Sequence, residues 1–231
     1  MQSTTRRDFV LTAAAALATP SLAHAFAAPH ATPAPPPDEV LRLLKEGNAR
    51  FASGASTHPR RTPADFKPLA AGQNPVACIV ACADSRVTPE ILFDLGIGEL
   101  FVVRVAGNYV DGAGPTVKGS IEYAVAELGV SLIMILGHSQ CGAIKAAIQH
   151  LHDKDALPGA INDLVNAIKP AVTASENLPG DKLENAIRTN VKRGVDRLNT
   201  LGPVVAPAAK SGKIKIAGAV YDLATGKIVM V

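Results

Sequence analysis

The chain of 231 residues contains no tryptophan, and aromatic residues make up only 4% of it. Hydrophobic residues account for 48% and charged residues for 19%, which is the balance of a globular protein. The core must therefore be built from alanine, valine, isoleucine and leucine. This length favours one domain over two. The net charge of +3 is small and the lysines and arginines are scattered, which argues against a nucleic-acid partner.

Cysteine is also scarce, with Cys78, Cys82 and Cys141 as its only occurrences. An odd number leaves one cysteine over, and a chain of this size needs no disulfide framework. Cys78 lies within the apolar run PVACIVAC and is predicted to be an ordinary core residue. Spacing alone leaves a Cys82–Cys141 disulfide open. No C-x-x-C pair is present, which argues against a thiol redox protein.

Residues 1–27 have the layout of an export signal peptide. Arg6 and Arg7 precede an alanine-rich apolar stretch, and Ala23-His24-Ala25 forms a small-x-small cleavage site. The paired arginines are typical of a twin-arginine signal, a route that exports folded proteins. An uncleaved anchor is the alternative, although the stretch is short against the roughly 20 apolar residues of a membrane span. We predict a periplasmic or otherwise exported protein with no membrane contact after signal removal.

The rest of the chain is predicted to be a proline-rich linker at 28–37 and a single domain at 38–231. Apolar runs of strand length alternate with helical patterns along this domain. Strands are predicted at 76–81, 99–107 and 130–137 and twice within 213–231, and helices at 116–129, 140–151 and 183–199. This alternation predicts an α/β fold with a mostly parallel β-sheet flanked by helices. Neither G-x-G-x-x-G nor G-K-[ST] is present, so no nucleotide site is expected.

Three soft or borderline metal ligands follow the ends of predicted strands. Cys82 ends the first strand, and His138 and Cys141 follow the third. The carboxyl ends of parallel strands share one edge of a sheet, where sites form. Taken singly, each residue is more often a buried or hydrogen-bonded residue; together they have the side-chain types that zinc prefers. The sequence therefore predicts a zinc centre, and metal loaded before export would protect both thiolates from oxidation.

Asp84 lies two residues from Cys82 and two from Arg86, so the three side chains would share one side if the backbone is near extended there. Arg86 can hold Asp84 by a bidentate pair and keep the carboxylate ionised and aimed at a zinc-bound water. A surface salt bridge of little energetic value is the alternative. A zinc site with three ligands keeps a fourth position for water, which becomes zinc-bound hydroxide near neutral pH. Because two thiolates donate more charge than histidines do, we expect better activity on the alkaline side.

Two motifs carry a resemblance to a known family. Cys-Ala-Asp-Ser-Arg at 82–86 and Gly-His-Ser-Gln-Cys-Gly at 137–142 resemble the paired motifs of the β-class carbonic anhydrases. The likeness continues at 44–54, 98–108, 119–130 and 220–228, so it covers nearly the whole mature chain. It implies a zinc lyase (a carbonate dehydratase) that interconverts carbon dioxide and bicarbonate, assembled as a homodimer or homotetramer with the active site near the subunit interface.

The resemblance has further implications for individual residues. An N-terminal helical arm at 38–52 would pack on the neighbouring subunit. Asp84 would be able to move onto the zinc as a fourth ligand and switch the enzyme off. Tyr221 matches a family tyrosine near the pocket. Gly107 and Asn108 follow a strand and are candidates for shaping that pocket, although Asn after Gly is also common turn chemistry.

Two positions depart from the family pattern. A tryptophan that forms part of a regulatory bicarbonate pocket in some members is Ile79 here, which puts bicarbonate inhibition in doubt. A glutamine that faces the substrate in other members is replaced by the apolar or small Leu95-Gly96-Ile97 segment, which puts the substrate orientation in doubt.

Two alternative functions share the same ligands. A related enzyme on this scaffold could hydrolyse carbon disulfide or carbonyl sulfide. A non-catalytic zinc-binding protein could hold the metal in a closed site of four ligands, namely Cys82, Asp84, His138 and Cys141. The Asp84–Arg86 pair argues against the closed site, because a purely structural centre has no need of the arginine.

Overall fold

The computed structural model describes residues 34–155 and 157–231. The predicted signal peptide and residues 28–33 of the predicted linker lie outside these ranges. Within the described residues, none of the helices combines the length and the hydropathy that crossing a bilayer requires.

The described residues form eight helices and five strands. The helices are α1 (Pro37–Ala52), α2 (Pro63–Leu69), α3 (Pro89–Leu92), α4 (Gly114–Ala126), α5 (Gly142–Asp153), α6 (Ile161–Ser175), α7 (Lys182–Asn199) and α8 (Val205–Lys210). The strands are β1 (Ala77–Ala81), β2 (Leu100–Arg104), β3 (Leu132–His138), β4 (Lys215–Tyr221) and β5 (Ile228–Met230).

The five strands form one sheet in the order β2-β1-β3-β4-β5. All neighbours pair in parallel except β4 and β5, which are antiparallel. This confirms the predicted α/β fold with a mostly parallel sheet flanked by helices. From β1 the chain moves to β2 on one side, whereas β3 lies on the other side of β1. The crevice beyond the carboxyl ends of β1 and β3 is therefore the switch point where such sheets bind ligands.

Helices cover both faces of the sheet, which explains the continuous apolar runs of β1 and β3. On β1, Cys78 and Val80 pack into the core beneath α4 to α8. Ala77 and Ile79 point the other way, into the core beneath α1 and α3. All five residues of β1 and all seven of β3 are buried. The site at the carboxyl ends of these strands is thus built on the most rigid part of the molecule.

The predicted N-terminal arm is a helix, α1, and its apolar face lies on its own chain. Val40 and Leu44 are fully buried in the core on the α3 side of the sheet. Asn48 joins this helix to the final strand, because its Nδ2 donates to the Gly226 carbonyl at 2.9 Å and its Oδ1 accepts from the Ile228 amide at 2.9 Å. Val40 and Leu44 of this helix therefore cover the sheet of the same chain, and packing of the arm on a neighbouring subunit stays a prediction.

Asp94 is a fully buried carboxylate that fixes the end of α1 and the loop after it. It accepts hydrogen bonds from Arg50 Nε at 2.7 Å, from the amides of Thr57 and His58, and from the Thr57 hydroxyl. Burial alone would raise the pKa of Asp94, but these donors outweigh burial and hold the pKa well below its usual range. The carboxylate is therefore ionised and fully paired in the folded protein.

We expect Asp94→Asn to destabilise the fold by roughly 3 kcal/mol at neutral pH, because it breaks a buried charged network. A carboxylate whose folded pKa is depressed contributes stability above its unfolded pKa of about 3.9 and loses it as the pH falls towards the folded value. The difference in unfolding free energy between wild type and variant should therefore shrink below about pH 4. Urea unfolding of both proteins across this range measures the difference. The control is Asp65→Asn, because the half-buried Asp65 bonds only to Thr62 in the cap of its own short helix, and an equal loss there would contradict the assignment.

Candidate metal centre

The three predicted ligands come together at the switch point of the sheet. Cys82 directly follows β1, His138 is the last residue of β3, and Cys141 caps the N-terminus of α5. Their ligand atoms lie within 4.8 Å of one another. All three side chains are buried, with relative exposures of 4%, 0% and 1% in that order. Parallel pairing of β1 with β3 is what aligns the two strand ends.

The two thiols are free and do not form a disulfide. Their sulfur atoms are 4.0 Å apart, about twice the length of an S–S bond. Two thiolates on one tetrahedral zinc, each at about 2.3 Å from the metal, would be roughly 3.8 Å apart. The observed spacing therefore fits shared coordination of one ion. The disulfide that spacing in the sequence left open is excluded by this geometry.

His138 presents one ring nitrogen with no protein partner. Its Nδ1 lies 2.9 Å from the Ser139 carbonyl oxygen, so Nδ1 carries the proton and donates to that oxygen. The Ser139 amide in turn donates to the Tyr221 carbonyl at 2.8 Å. Nε2 then holds a lone pair, and it is buried without a hydrogen bond. A buried, unpaired nitrogen beside two thiols is the expected state of a metal ligand.

Backbone amides favour negative charge on both sulfurs. The Gly107 amide donates to Cys82 Sγ at 3.2 Å. The hydrogen bond from the Cys141 thiol is the largest of the effects that lower the pKa of Cys82 to about 4. The same pairing raises the pKa of Cys141, while amides in the first turn of α5 oppose that rise. The pair thus shares one proton, and a bound metal ion would displace it.

Asp84 lies beside the three ligands and is held by Arg86. The guanidinium donates to both carboxylate oxygens, at 2.9 Å from Nε to Oδ1 and 2.7 Å from Nη2 to Oδ2. The Arg86 amide adds a hydrogen bond to Oδ1 at 2.9 Å. The Arg86 guanidinium is the main reason that the pKa of Asp84 lies far below its usual range. Asp84 Oδ2 is 3.9 Å from His138 Nε2, so the carboxylate faces the donor group without belonging to it.

Arg104 holds the backbone of the same segment from the neighbouring strand. Its Nε donates to the Cys82 carbonyl at 3.1 Å and its Nη2 to the Asp84 carbonyl at 2.7 Å. In the sequence, Arg104 stands out because an arginine is unusual at the end of the apolar run FVVR. That position could have indicated a supporting role for it. The guanidinium fixes the peptide groups that carry Cys82 and Asp84.

Of the three predicted pocket residues, Gly107 contacts a predicted ligand, Asn108 follows it in the chain, and Tyr221 is the register partner of His138. Gly107 contacts Cys82 through its amide, as described above. Asn108 is 2% exposed and its Nδ2 has no hydrogen-bond partner among the described residues. Tyr221 lies beside His138 in the β3–β4 register and packs in the core on the α1 side. A substrate role for these three residues remains a prediction.

Ile79 and Leu95 lie away from the two cysteines. Both are buried in the core on the α1 side of the sheet, whereas Cys82 and Cys141 belong to the core on the other side. Gly96 packs against Arg60, where a Cβ would approach the arginine Cβ to 2.4 Å. Ile97 is 47% exposed. The positions that depart from the family pattern, Ile79 and 95–97, therefore lie in the α1-side core or at the surface, and not in the core that contains the two cysteines.

A second group of possible metal ligands lies at the surface at the C-terminal end of α5. It consists of His150, Asp153 and Asp155. His150 and Asp155 already pair with each other at 2.6 Å, and the aspartates are exposed. Among the described residues, the group of Cys82, His138 and Cys141 is therefore the one that is fully buried.

Comparison with known proteins identifies the family. The family profile described as carbonic anhydrase matches residues 77–228. Carbonic anhydrase 2 of Mycobacterium tuberculosis is 39% identical over 194 residues, which cover 84% of this chain and 92% of that protein. The chain belongs to the β-class carbonic anhydrase family. It is thus an enzyme, and the resemblance of the two motifs is confirmed.

Solved structures of β-class carbonic anhydrases share the fold. The structure of the β-carbonic anhydrase CcaA has a TM-score of 0.65 and 28% identity, with 83% of this chain and 94% of that chain covered. The Coccomyxa β-carbonic anhydrase in complex with acetazolamide has a TM-score of 0.64 and 28% identity, with 84% and 85% covered. The sheet and its helices are therefore those of the family.

Proposed function

We propose that the enzyme is zinc-dependent, with Cys82, His138 and Cys141 as ligands, and reversibly hydrates carbon dioxide to bicarbonate and a proton. The observation that carries this proposal is the buried group of two free thiols and an unpaired imidazole nitrogen within 4.8 Å of one another. Two cysteines and a histidine form a donor set of catalytic zinc sites. When bound, zinc supplies the Lewis acidity that makes water nucleophilic near neutral pH.

The protein's own contribution is to prepare the ligands and to supply a hydrogen-bond acceptor for water. Ser139 fixes the His138 tautomer, and amide donors stabilise the thiolates. Asp84 stays ionised because Arg86 holds it, so its carboxylate can only accept hydrogen bonds. A water molecule in the crevice would then be oriented by donation to Asp84. Because Asp84 stands outside the donor group, the arrangement favours an open catalytic site over a closed site of four ligands.

The test is stopped-flow carbon dioxide hydration by the protein lacking residues 1–27, with zinc content determined on the same sample. We expect about one zinc per chain and fast hydration that improves towards alkaline pH. Full zinc loading without hydration at alkaline pH would contradict the proposed reaction. Turnover of carbon disulfide or carbonyl sulfide by that sample would favour the sulfur-substrate hydrolase. Inactivity on carbon dioxide, carbon disulfide and carbonyl sulfide would favour a non-catalytic zinc site.

We also propose that the protein is exported after folding, through the twin-arginine signal at 1–27. The first described segment supports this, because the Ser131 hydroxyl donates to the Pro35 carbonyl at 2.6 Å. Ser131 precedes β3, whereas the donor group lies at the opposite end of that strand, roughly 20 Å away. The point where the linker joins the folded domain is therefore at the end of the sheet away from the proposed metal centre, as export of a folded, metal-loaded protein requires. Replacing Arg6 and Arg7 by lysine should block export, and unchanged export would contradict the route.

A homodimer or homotetramer is proposed as the assembly. The edge strand β2 presents an apolar patch that supports this proposal. Tyr123 is 48% and Ile97 is 47% exposed, and the Tyr123 ring contacts Phe101 of β2 at 6.1 Å between centroids. Exposed apolar side chains on a sheet edge are typical of association sites. Sedimentation that finds only monomer at micromolar concentration would contradict this assembly.

A further inference from the structure

Asn190 is a polar side chain in the buried face of α7. Ile187, Val191 and Gly194 share this face and are buried with it, and Asn190 itself is 5% exposed. Asparagine is a weak helix former, and its buried amide must find a partner. A polar residue on an otherwise apolar stripe therefore has a specific task.

The partner of Asn190 is the loop that contacts the first predicted ligand. Asn190 Nδ2 donates to the Gly107 carbonyl at 2.8 Å. The Gly107 amide donates to Cys82 Sγ at 3.2 Å. One glycine thus receives a hydrogen bond from α7 on its carbonyl and gives one to the sulfur from its amide.

The conformation of Gly107 requires glycine and external support. Its φ is +82°, and the next residue, Asn108, has a φ of +43°. A Cβ at Gly107 would lie 2.6 Å from Ile168 Cδ1. Glycine adopts this φ freely, whereas a positive φ is uncommon for any other residue, so the turn defines where the Gly107 carbonyl and amide point. The hydrogen bond from Asn190 is the side-chain contact that holds the Gly107 carbonyl in this turn.

Helix α7 is a fixed platform for this contact. A Cβ at either Gly137 of β3 or Gly218 of β4 would lie 2.7 Å from Val191, the neighbour of Asn190. These two glycines therefore let α7 approach the sheet closely, one residue before His138 on β3. The position of Asn190 is set by this packing.

We infer that Asn190 is a positioning residue of the metal centre, which holds Gly107 so that the Gly107 amide donates to the sulfur of Cys82. Asn190 acts through Gly107 alone and takes no ligand position. The inference rests on the proposed zinc site. An amide donor orients the thiolate and moderates its charge, as outer hydrogen bonds do for other metal ligands.

The test compares the zinc-loaded wild type with Asn190→Ala and Asn190→Leu. Leucine keeps the branched shape of asparagine but has no donor for the Gly107 carbonyl, so it provides the same test if the alanine variant fails to fold. We expect zinc release to a chromogenic chelator to be about 10- to 100-fold faster in both variants. In cobalt-substituted samples, the sulfur-to-cobalt charge-transfer band should shift, because Cys82 loses its amide donor.

Two variants on the same helix serve as controls. Asn199 is exposed and donates to the Val195 carbonyl only, so Asn199→Ala should behave as wild type. Val195→Ala removes partly buried apolar packing from α7 without touching Gly107, and it therefore reports the effect of lost stability alone. Zinc release from Val195→Ala as fast as from Asn190→Ala at equal thermal destabilisation, or an unchanged cobalt spectrum in Asn190→Leu, would overturn the inference. A wild type that binds no zinc would instead overturn the proposed function, and the inference with it.

Discussion

Cys82→Ser is expected to lose bound zinc and, with it, nearly all carbon dioxide hydration. A serine hydroxyl stays protonated near neutral pH and cannot replace a thiolate, so zinc affinity should fall by well over about 100-fold. The variant also leaves His138 and Cys141 buried without a shared partner, which should lower the thermal stability of the zinc-loaded sample. Zinc content after gel filtration and stopped-flow hydration of the same sample measure both effects.

Cys78→Ser is the matched control for this substitution. Cys78 lies on β1, which Cys82 directly follows, and it is also buried, but it is absent from the donor group. Burial raises the pKa of the Cys78 thiol to about 12, so it remains a neutral core residue. We expect full zinc content and activity in Cys78→Ser, with a stability loss on the order of 1 kcal/mol. Zinc retained in Cys82→Ser, or lost in both variants, would contradict the assignment of Cys82.

Asp84→Asn is expected to keep its zinc and lose turnover by roughly 100- to 10,000-fold. The amide has nearly the same shape but presents a nitrogen where the carboxylate presents an acceptor, so water loses the hydrogen-bond acceptor that orients it. Asp84 lies outside the group of three ligands, and its replacement should therefore leave metal affinity nearly unchanged. Stopped-flow hydration together with zinc content separates the two properties.

Two further variants test the Asp84 assignment: Arg86→Lys weakens the hold on Asp84, and Asp38→Asn is a control at a distant ion pair. Lysine keeps the charge but not the bidentate fork that holds Asp84, so an intermediate loss of turnover is expected. Asp38 is also paired with a cation, Lys215, at the amino end of β4, and its replacement should have no effect on turnover. Loss of zinc in Asp84→Asn would show instead that Asp84 is a ligand. Unchanged turnover would remove it from the reaction.

The predicted strands and helices that the structure confirms are those with a strong local pattern of apolar residues. The runs at 76–81 and 130–137 are β1 and β3, because strands buried on both faces need continuous apolar residues. Helix α6 (Ile161–Ser175) went unpredicted because Pro170 interrupts its pattern, and proline normally ends a helix. The strand predicted at 99–107 ends at Arg104, since the chain turns at Gly107 with a positive φ.

The candidate ligands could be predicted because each one lies at the end of a strand or within three residues after it. Cys82 and His138 are separated by more than fifty residues, but parallel strands bring their carboxyl ends to one edge whatever the distance along the chain. The supporting residues were not predictable in this way. In the sequence, Asn190 is recognisable only as a polar residue within an apolar helical stripe. Asp94 belongs to no recognisable motif.

By itself the sequence determined the order of strands and helices, the three ligand types and the pair Asp84–Arg86, because these depend on residues that are close along the chain. Only the tertiary structure decided that the thiols lie 4.0 Å apart without a disulfide, that Asp84 stays with Arg86, and that α1 covers its own sheet. The tertiary structure also decided the hydrogen bond from Asn190 of α7 to the Gly107 carbonyl. Such outcomes depend on distances of a few ångströms between distant segments, and packing of the whole core sets those distances.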